Sequence, residues 1–330
     1  MPDKDPLLAG SAVAGRILAD PAPAPRPTAP PLRVVPPGER LAGLNTPPPG
    51  RWLDLGRRGR TWIREEPGPE NAPALLMLHG LGATGGLNWA GSQLFLGDQF
   101  RVITIDHRGH GRGIRTRDFR LEDCADDAAA CIHALGLDRP IVVGYSMGGP
   151  VASLLWRRHP ELVGGLVLCA TGATFCDGPG ERLTFRAMRV AGKAPMKLPR
   201  RALYASGGLA GIVPVPKGLP KDIQWAIDEM TGHDPRSIVQ AIGEVGHFDA
   251  SAWIGQVDLP SAVIVTAGDQ IVPVGRQMDL ARAIQHASVY RVEGGHLCIS
   301  HGESKRRFLS TLRDACLEVA ASARDRQLAL

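Results

Sequence analysis

The sequence predicts an α/β protein, with a mostly parallel central sheet, helices on both faces and a helical cap inserted late in the chain. Three observations carry this expectation. From Arg51 onward, short β-branched or leucine-rich runs alternate with segments of helical spacing, the rhythm of right-handed crossovers between parallel strands. One of those runs, at 141–143, passes through Gly144-Tyr145-Ser146-Met147-Gly148 directly into a helical pattern. The alternation then lapses between about 173 and 257 and resumes at Ala262, which marks an insertion at the edge of the sheet where folds of this kind bind ligands.

Taken in order, the first fifty residues stand apart. Thirteen of the 28 prolines precede Arg51, a composition of extended or unstructured chain, so residues 1–50 read as a flexible arm. The segment 7–19 is interrupted by Gly10, Gly15 and Arg16 and lacks the basic start and unbroken apolar centre of a secretory signal. RWLDLG and RTWIRE read as two strands of a hairpin about Arg57-Arg58-Gly59. Ala74 to Leu78 is a buried strand that ends in His79-Gly80-Leu81-Gly82, and a short helix is expected from Asn88 to Leu96. A strand at 101–105 runs into Asp106-His107-Arg108-Gly109-His110-Gly111, and helical spacing from Leu121 to Leu135 stops at Gly136. After the strand and helix that flank Ser146 comes a strand at 166–169.

Residues 51–172 and 258–330 thus form the core, with 173–257 as the cap. Within the cap, 181–191 and 221–230 have helical character, joined through VPVPKGLP. The chain closes with a strand at 262–267, a helix near 274–284, a strand at 288–292 and a helix from about 303 to 321.

Composition narrows the function. A hydrophobic fraction of 44% supports a large core, and no apolar run approaches the ~20 residues that span a bilayer. A net charge of +5 with 5% aromatics, and no basic block interleaved with aromatics, excludes nucleic acid as an expected partner. The six cysteines are scattered without a C-x-x-C pair, which favours reduced core thiols, a cytoplasmic location and no structural metal.

The chemistry gathers at three strand ends. A G-x-S-x-G between strand and helix presents a serine on a strained turn. A serine needs a base and an oxyanion site to act as a nucleophile. Gly268-Asp269 follows one later strand and Gly294-Gly295-His296 the next, so Ser146, Asp269 and His296 occur in the order serine, acid, histidine on one sheet edge. His296 is the expected base and Asp269 its orienting acid. The backbone N–H groups of Met147 and Leu81 are the expected oxyanion donors. Asp106 and Asp177 are competing acids, the first read as an acid that orders its loop through backbone N–H groups. His79, His107 and His110 are read as loop braces, and His301 as the start of the final helix.

These stretches, LHGLG (78–82), DHRGHG (106–111), GYSMGG (144–149), AGDQIVP (267–273) and GGH (294–296), resemble the α/β-hydrolase superfamily, in its capped esterase or lipase-like form, over about residues 50 to 320. The resemblance implies a two-step acyl transfer through an acyl-serine at Ser146, with no cofactor and no metal. A serine at 146 argues against the family's dehalogenases and epoxide hydrolases, which use a carboxylate nucleophile. The expected substrate is a small-molecule or lipid carboxylic ester with an apolar acyl or alcohol part, since Phe175, Leu183, Met188, Trp225, Ile227 and Met230 give the cap apolar character. Alternatives on the same fold are a thioesterase, a carbon–carbon bond hydrolase, a cofactor-free perhydrolase or a ligand receptor with little turnover. Arg182, Arg186, Arg189 and Lys193 fall on one helical stripe beside Leu183, Ala187 and Val190. That stripe reads either as ordinary solvated surface or as a weak contact with an anionic membrane surface, a contact the arm could share.

Overall fold

Among the described residues eight strands, numbered β1 to β8 in chain order, form one sheet in the order β1-β2-β4-β3-β5-β6-β7-β8. The computed structural model describes residues 47–176, 178–191, 221–300 and 302–329. The opening hairpin is antiparallel, β1 (Gly50–Asp54) on β2 (Arg60–Glu66), and β2 joins β4 (Arg101–Ile105) in the same sense. From there every pairing is parallel, through β3 (Ala74–Leu78), β5 (Ile141–Tyr145), β6 (Gly165–Cys169), β7 (Ser261–Thr266) and β8 (Ser288–Val292).

The period-2 alternation of the strands divides the interior into two cores. Leu76 and Leu78 of β3 face α2 (Leu121–Ala134), α3 (Gly148–Arg158) and α7 (Val274–Ala283), whereas Leu75 and Met77 face α1 (Gly85–Leu96) and α8 (Gly302–Leu328). Trp89 of α1 and Phe308 of α8 are wholly buried on the second face. Truncating either ring to alanine would cost about 3–5 kcal/mol, so the two helices are firmly seated. The six cysteines form no disulfide and are buried in these layers or against them.

Helix ends follow local chemistry. Thr84 caps α1 by accepting from the Leu87 N–H at 3.1 Å. The helix therefore starts three residues before the expected Asn88, in a Gly85-Gly86 turn whose low propensity hides it from the sequence. Those glycines allow close approach. A Cβ on Gly85 would stand 2.9 Å from Thr104 Oγ1, and one on Gly86 2.9 Å from Arg64 Nε. Glu122 and Asp123 open α2 and Gly136, at φ 58°, lies just past its end, the charge and chirality a helix prefers at its termini.

Between β6 and β7 the described residues hold three α-helices: α4 (Pro179–Ala191), α5 (Lys221–Thr231) and α6 (Pro235–His247). The third has no counterpart in the sequence reading, although Asp234 caps it and Pro235 occupies its first position. The final helix also runs to Leu328, past the expected end near 321.

Candidate active site

The turn from β5 into α3 is built from clashes avoided. Ser146 sits at φ 52°, a left-handed conformation uncommon for a residue with a side chain. Its N–H donates to the Cys169 carbonyl at 3.0 Å, and its own carbonyl accepts from the Gly149 N–H and the Thr171 hydroxyl, both at 2.9 Å. A Cβ on Gly144 would lie 2.4 Å from the Gly148 carbonyl oxygen, and one on Gly148 2.1 Å from that of Leu78. Only glycine fits at either place, and the turn that holds Ser146 therefore packs directly on the end of β3.

Two later loops meet that serine. His296 Nε2 lies 2.9 Å from Ser146 Oγ, and His296 Nδ1 lies 2.7 Å from Asp269 Oδ2. The Tyr145 hydroxyl donates to the His296 carbonyl at 2.6 Å, which fixes the loop after β8 to the strand carrying the serine. The Asp269 side chain is wholly buried. Its Oδ1 accepts from the Ile271 and Val272 N–H groups at 2.9 Å each, and its Oδ2 from the Thr266 hydroxyl at 2.7 Å. Burial alone would raise its pKa, but the His296 contact, the Val272 N–H and the Thr266 hydroxyl hold it below the usual 3.8. The carboxylate is thus ionised at neutral pH and keeps the proton of a neutral imidazole on Nδ1, leaving Nε2 to accept from the serine.

Opposite His296, the loop after β3 comes close enough that a Cβ on Gly80 would stand 3.3 Å from Ser146 Cβ. The Gly80 N–H is used, donating to Asn88 Oδ1 at 2.8 Å, and the Ala83 N–H donates to the Gly80 carbonyl at 3.3 Å. Among the described residues no acceptor is engaged by the N–H of Leu81 or of Met147. Ser146 and His296 open on a cavity of about 630 Å³ lined in part by Trp225, Ile227 and Met230 of α5.

The sequence profile of the α/β hydrolase fold matches residues 73–192, the stretch from β3 to α4, and the strand order and the serine turn agree with it. The chain has the α/β-hydrolase fold. It is 26% identical over 229 residues to a proposed carbamate hydrolase, RutD, of Agrobacterium fabrum, covering 68% of this chain and 85% of that protein. Among solved structures it is similar to a hydrolase from Pseudomonas aeruginosa PA01, at TM-score 0.64 and 21% identity over 81% of this chain and 97% of the other. It is similar also to a thermophilic esterase from Thermogutta terrifontis, at TM-score 0.63 and 23% identity over 82% and 99%. The two structural likenesses are likenesses of fold.

Sequence reasoning missed the groups that hold Asp269. Gln277 Nε2 donates to the Val272 carbonyl at 2.7 Å while its Oε1 accepts from the Thr266 N–H at 3.0 Å, bracing the turn around Asp269. Thr266 sits three residues before Asp269, a spacing that could have pointed to it, but Gln277 joins only through α7. Of the apolar residues named between 173 and 257, Phe175 does not line the cavity. Its ring packs on Phe248 and its carbonyl accepts from Arg276. Leu183 is 68% exposed. The side chain of Met188 lies outside the described residues, as do Asp177, His301, Lys193, the side chains of Arg182, Arg189 and Val190, and residues 1–46 of the arm. Arg186 and Ala187 are exposed on α4. No described helix is long and apolar enough to cross a membrane, and no described group of three or more His, Cys, Asp or Glu is placed to hold a metal ion.

Asp106 orders its loop, accepting from the Gly85 N–H and the Arg112 N–H at 2.9 Å each, and it does not touch His296. The histidines around it are braces too. The His107 N–H donates to His79 Nε2 at 2.9 Å, which places the His79 proton on Nδ1, where it reaches the Gly80 carbonyl at 2.7 Å. His110 Nδ1 lies 3.1 Å from the Arg108 carbonyl. Burial first, with His107, His110 and His233 as neighbours, pushes His79 well below 6.5, and burial takes His107 and His110 down to about 3. Burial raises Asp106 from 3.8 to about 6, against the pull of its two N–H partners.

These shifts set an acid limit on stability. The depressed histidines stabilise the fold above their unfolded value of 6.5 and lose that contribution as pH falls toward 3. Asp106 acts in the opposite sense between 3.8 and 6, where the native state holds a proton the unfolded chain has released. Between those limits the histidines outweigh the one acid, so unfolding takes up protons and stability falls as the pH falls. Urea midpoints should therefore decline steeply below pH 6, and a flat profile from pH 7 to 5 would contradict the buried neutral histidines.

Proposed function

We propose that this protein is a serine hydrolase of carboxylic esters with an apolar acyl or alcohol part, acting through an acyl-serine. The reading rests on one observation, the unbroken chain from Asp269 through His296 to Ser146, whose hydroxyl faces an apolar cavity. On attack, His296 Nε2 takes the Ser146 proton as Oγ bonds to the carbonyl carbon. The carbonyl oxygen becomes an oxyanion held by the Leu81 and Met147 N–H groups, each such donor being worth about 2.7–4 kcal/mol. The intermediate collapses as His296 returns the proton to the leaving alcohol, and the acyl group stays on Oγ. Water then repeats the sequence, with His296 again taking and returning one proton, to release the acid and free Ser146.

The wall of Trp225, Ile227 and Met230 supports an apolar group on one side of the scissile bond. The kinship with proteins named as carbamate hydrolases favours a second reading, the same chemistry with a carbamate in place of the ester. Labelling with a fluorophosphonate, followed by p-nitrophenyl esters of increasing chain length and a p-nitrophenyl carbamate, tests both. Labelling at Ser146 with faster turnover of the esters supports the first reading. Preference for the carbamate supports the second, and no labelling sinks both.

A further inference from the structure

The cap does more than cover the cavity. Glu229, on α5, is 3% exposed and faces three partners drawn from distant parts of the core. Its Oε1 accepts from Arg64 Nη2 at 2.9 Å and from Arg112 Nη1 at 3.0 Å, while its Oε2 accepts from the Thr84 hydroxyl at 2.5 Å. A buried carboxylate held by two guanidinium groups, one on β2 and one in the loop after β4, is a costly way to pin a helix to the core. Its worth lies in geometry, because each partner has a fixed direction.

Thr84 is the partner that matters. It ends the loop Gly80–Ala83, which carries the Leu81 N–H. The start of that loop is tied by Asn88 at the Gly80 N–H and the residue after Thr84 by Asp106 at the Gly85 N–H. The Thr84 hydroxyl accepts from Leu87 N–H and has one proton to give, which goes to Glu229. Trp225 precedes Glu229 by four residues, so the two share a face of α5. Trp225 lines the cavity, and α5 lies so close on α1 that a Cβ on Gly86 would stand 3.0 Å from the Trp225 ring and 3.2 Å from Glu229 Oε2.

We propose that Glu229 is a positioning residue which, through Thr84, sets the Leu81 N–H for the oxyanion, so that the site is competent only while α5 is docked. A substrate that packs on Trp225 would then favour the arrangement in which the oxyanion is best held. This inference rests on the serine-hydrolase reading above, and its test begins from that reading.

Wild-type protein must first label at Ser146 and turn over p-nitrophenyl butyrate. Failure there removes the hydrolase reading and with it the premise. In the active protein, Thr84→Val keeps the shape of the side chain and the Arg64–Glu229 pair. It should lower kcat about tenfold or more, a fraction of the 10²–10³ that loss of a whole donor costs, with little change in KM. Phenylboronic acid, which bonds to Oγ as a tetrahedral adduct with one oxygen in the oxyanion position, should lose affinity in parallel. Thr84→Ser should restore both. Glu229→Gln, whose amide can only donate toward the Thr84 oxygen, should lower kcat and boronate affinity in the same direction, and in the double variant the loss should be less than additive, since the two variants share the Thr84–Glu229 bond while Thr84→Val also gives up the Leu87 cap. A rise in KM with kcat and boronate affinity unchanged would reduce Glu229 to a cap fastener and overturn the proposal. Additive losses in the double variant would do the same, and should Thr84→Val not fold, the comparison of Glu229→Gln with wild type on kcat and boronate affinity decides alone.

Discussion

Ser146→Ala should abolish fluorophosphonate labelling and lower ester turnover by on the order of 10⁶, the scale seen when the nucleophile of a serine triad is removed. The change takes away one hydroxyl and keeps Cβ, so the left-handed backbone at φ 52° carries the same strain before and after. The bonds that shape the turn all use backbone atoms of Ser146 and survive: N–H to Cys169, and the carbonyl from Gly149 and Thr171. Thermal unfolding of the variant should therefore match the parent within the ordinary effect of a conservative change. Near-native turnover in a folded Ser146→Ala protein would mean that another group performs the attack.

Asp269→Asn should lower kcat by on the order of 10⁴ with KM close to wild type. The reason is the orientation that the amide must adopt. The Oδ1 position receives two backbone N–H groups, from Ile271 and Val272, and must remain an oxygen. The new NH2 group therefore points at His296 Nδ1, donor against donor. The imidazole escapes by moving its proton to Nε2, the atom that must accept from Ser146 Oγ. Steady-state kinetics with a chain-length-matched ester reads the effect directly. Unchanged kcat, or a larger loss from Asp106→Asn with folding preserved, would place the acid elsewhere.

The elements that could be read from sequence are those whose cause is local. A β-branched run, two glycines and a helical pattern announce the turn at Ser146 because strand, turn and helix are adjacent in the chain. The loops ending in Asp269 and His296 were legible for the same reason, as strand ends followed by polar residues. The supports were not. Gln277 reaches Asp269 only once α7 has packed, and Glu229 finds Arg64 at a separation of 165 residues and Arg112 at 117. The first turn of α1 was masked by Gly85 and Gly86, whose low propensity is overridden by the Thr84 cap and by the close approach of Thr104. The helix at 235–247 had its signal in Asp234-Pro235 and in the amphipathic pattern behind it, and no helix was assigned there.

The six buried thiols give the molecule a built-in clock. Burial lifts Cys131 to about 12, and Cys124 and Cys169 well above their usual 9.0. Thiolate, the form that reacts with alkylating reagents, is thus scarce in the native state as well as hidden. Reaction with iodoacetamide waits for the chain to open, and its rate counts the openings. Because Cys124 and Cys131 sit on α2, Cys169 at the end of β6, Cys298 beside the His296 loop and Cys316 on α8, brief exposure to the reagent followed by mass analysis of each peptide should order the regions by how often they come apart. The chain would report its own local breathing without a single introduced probe.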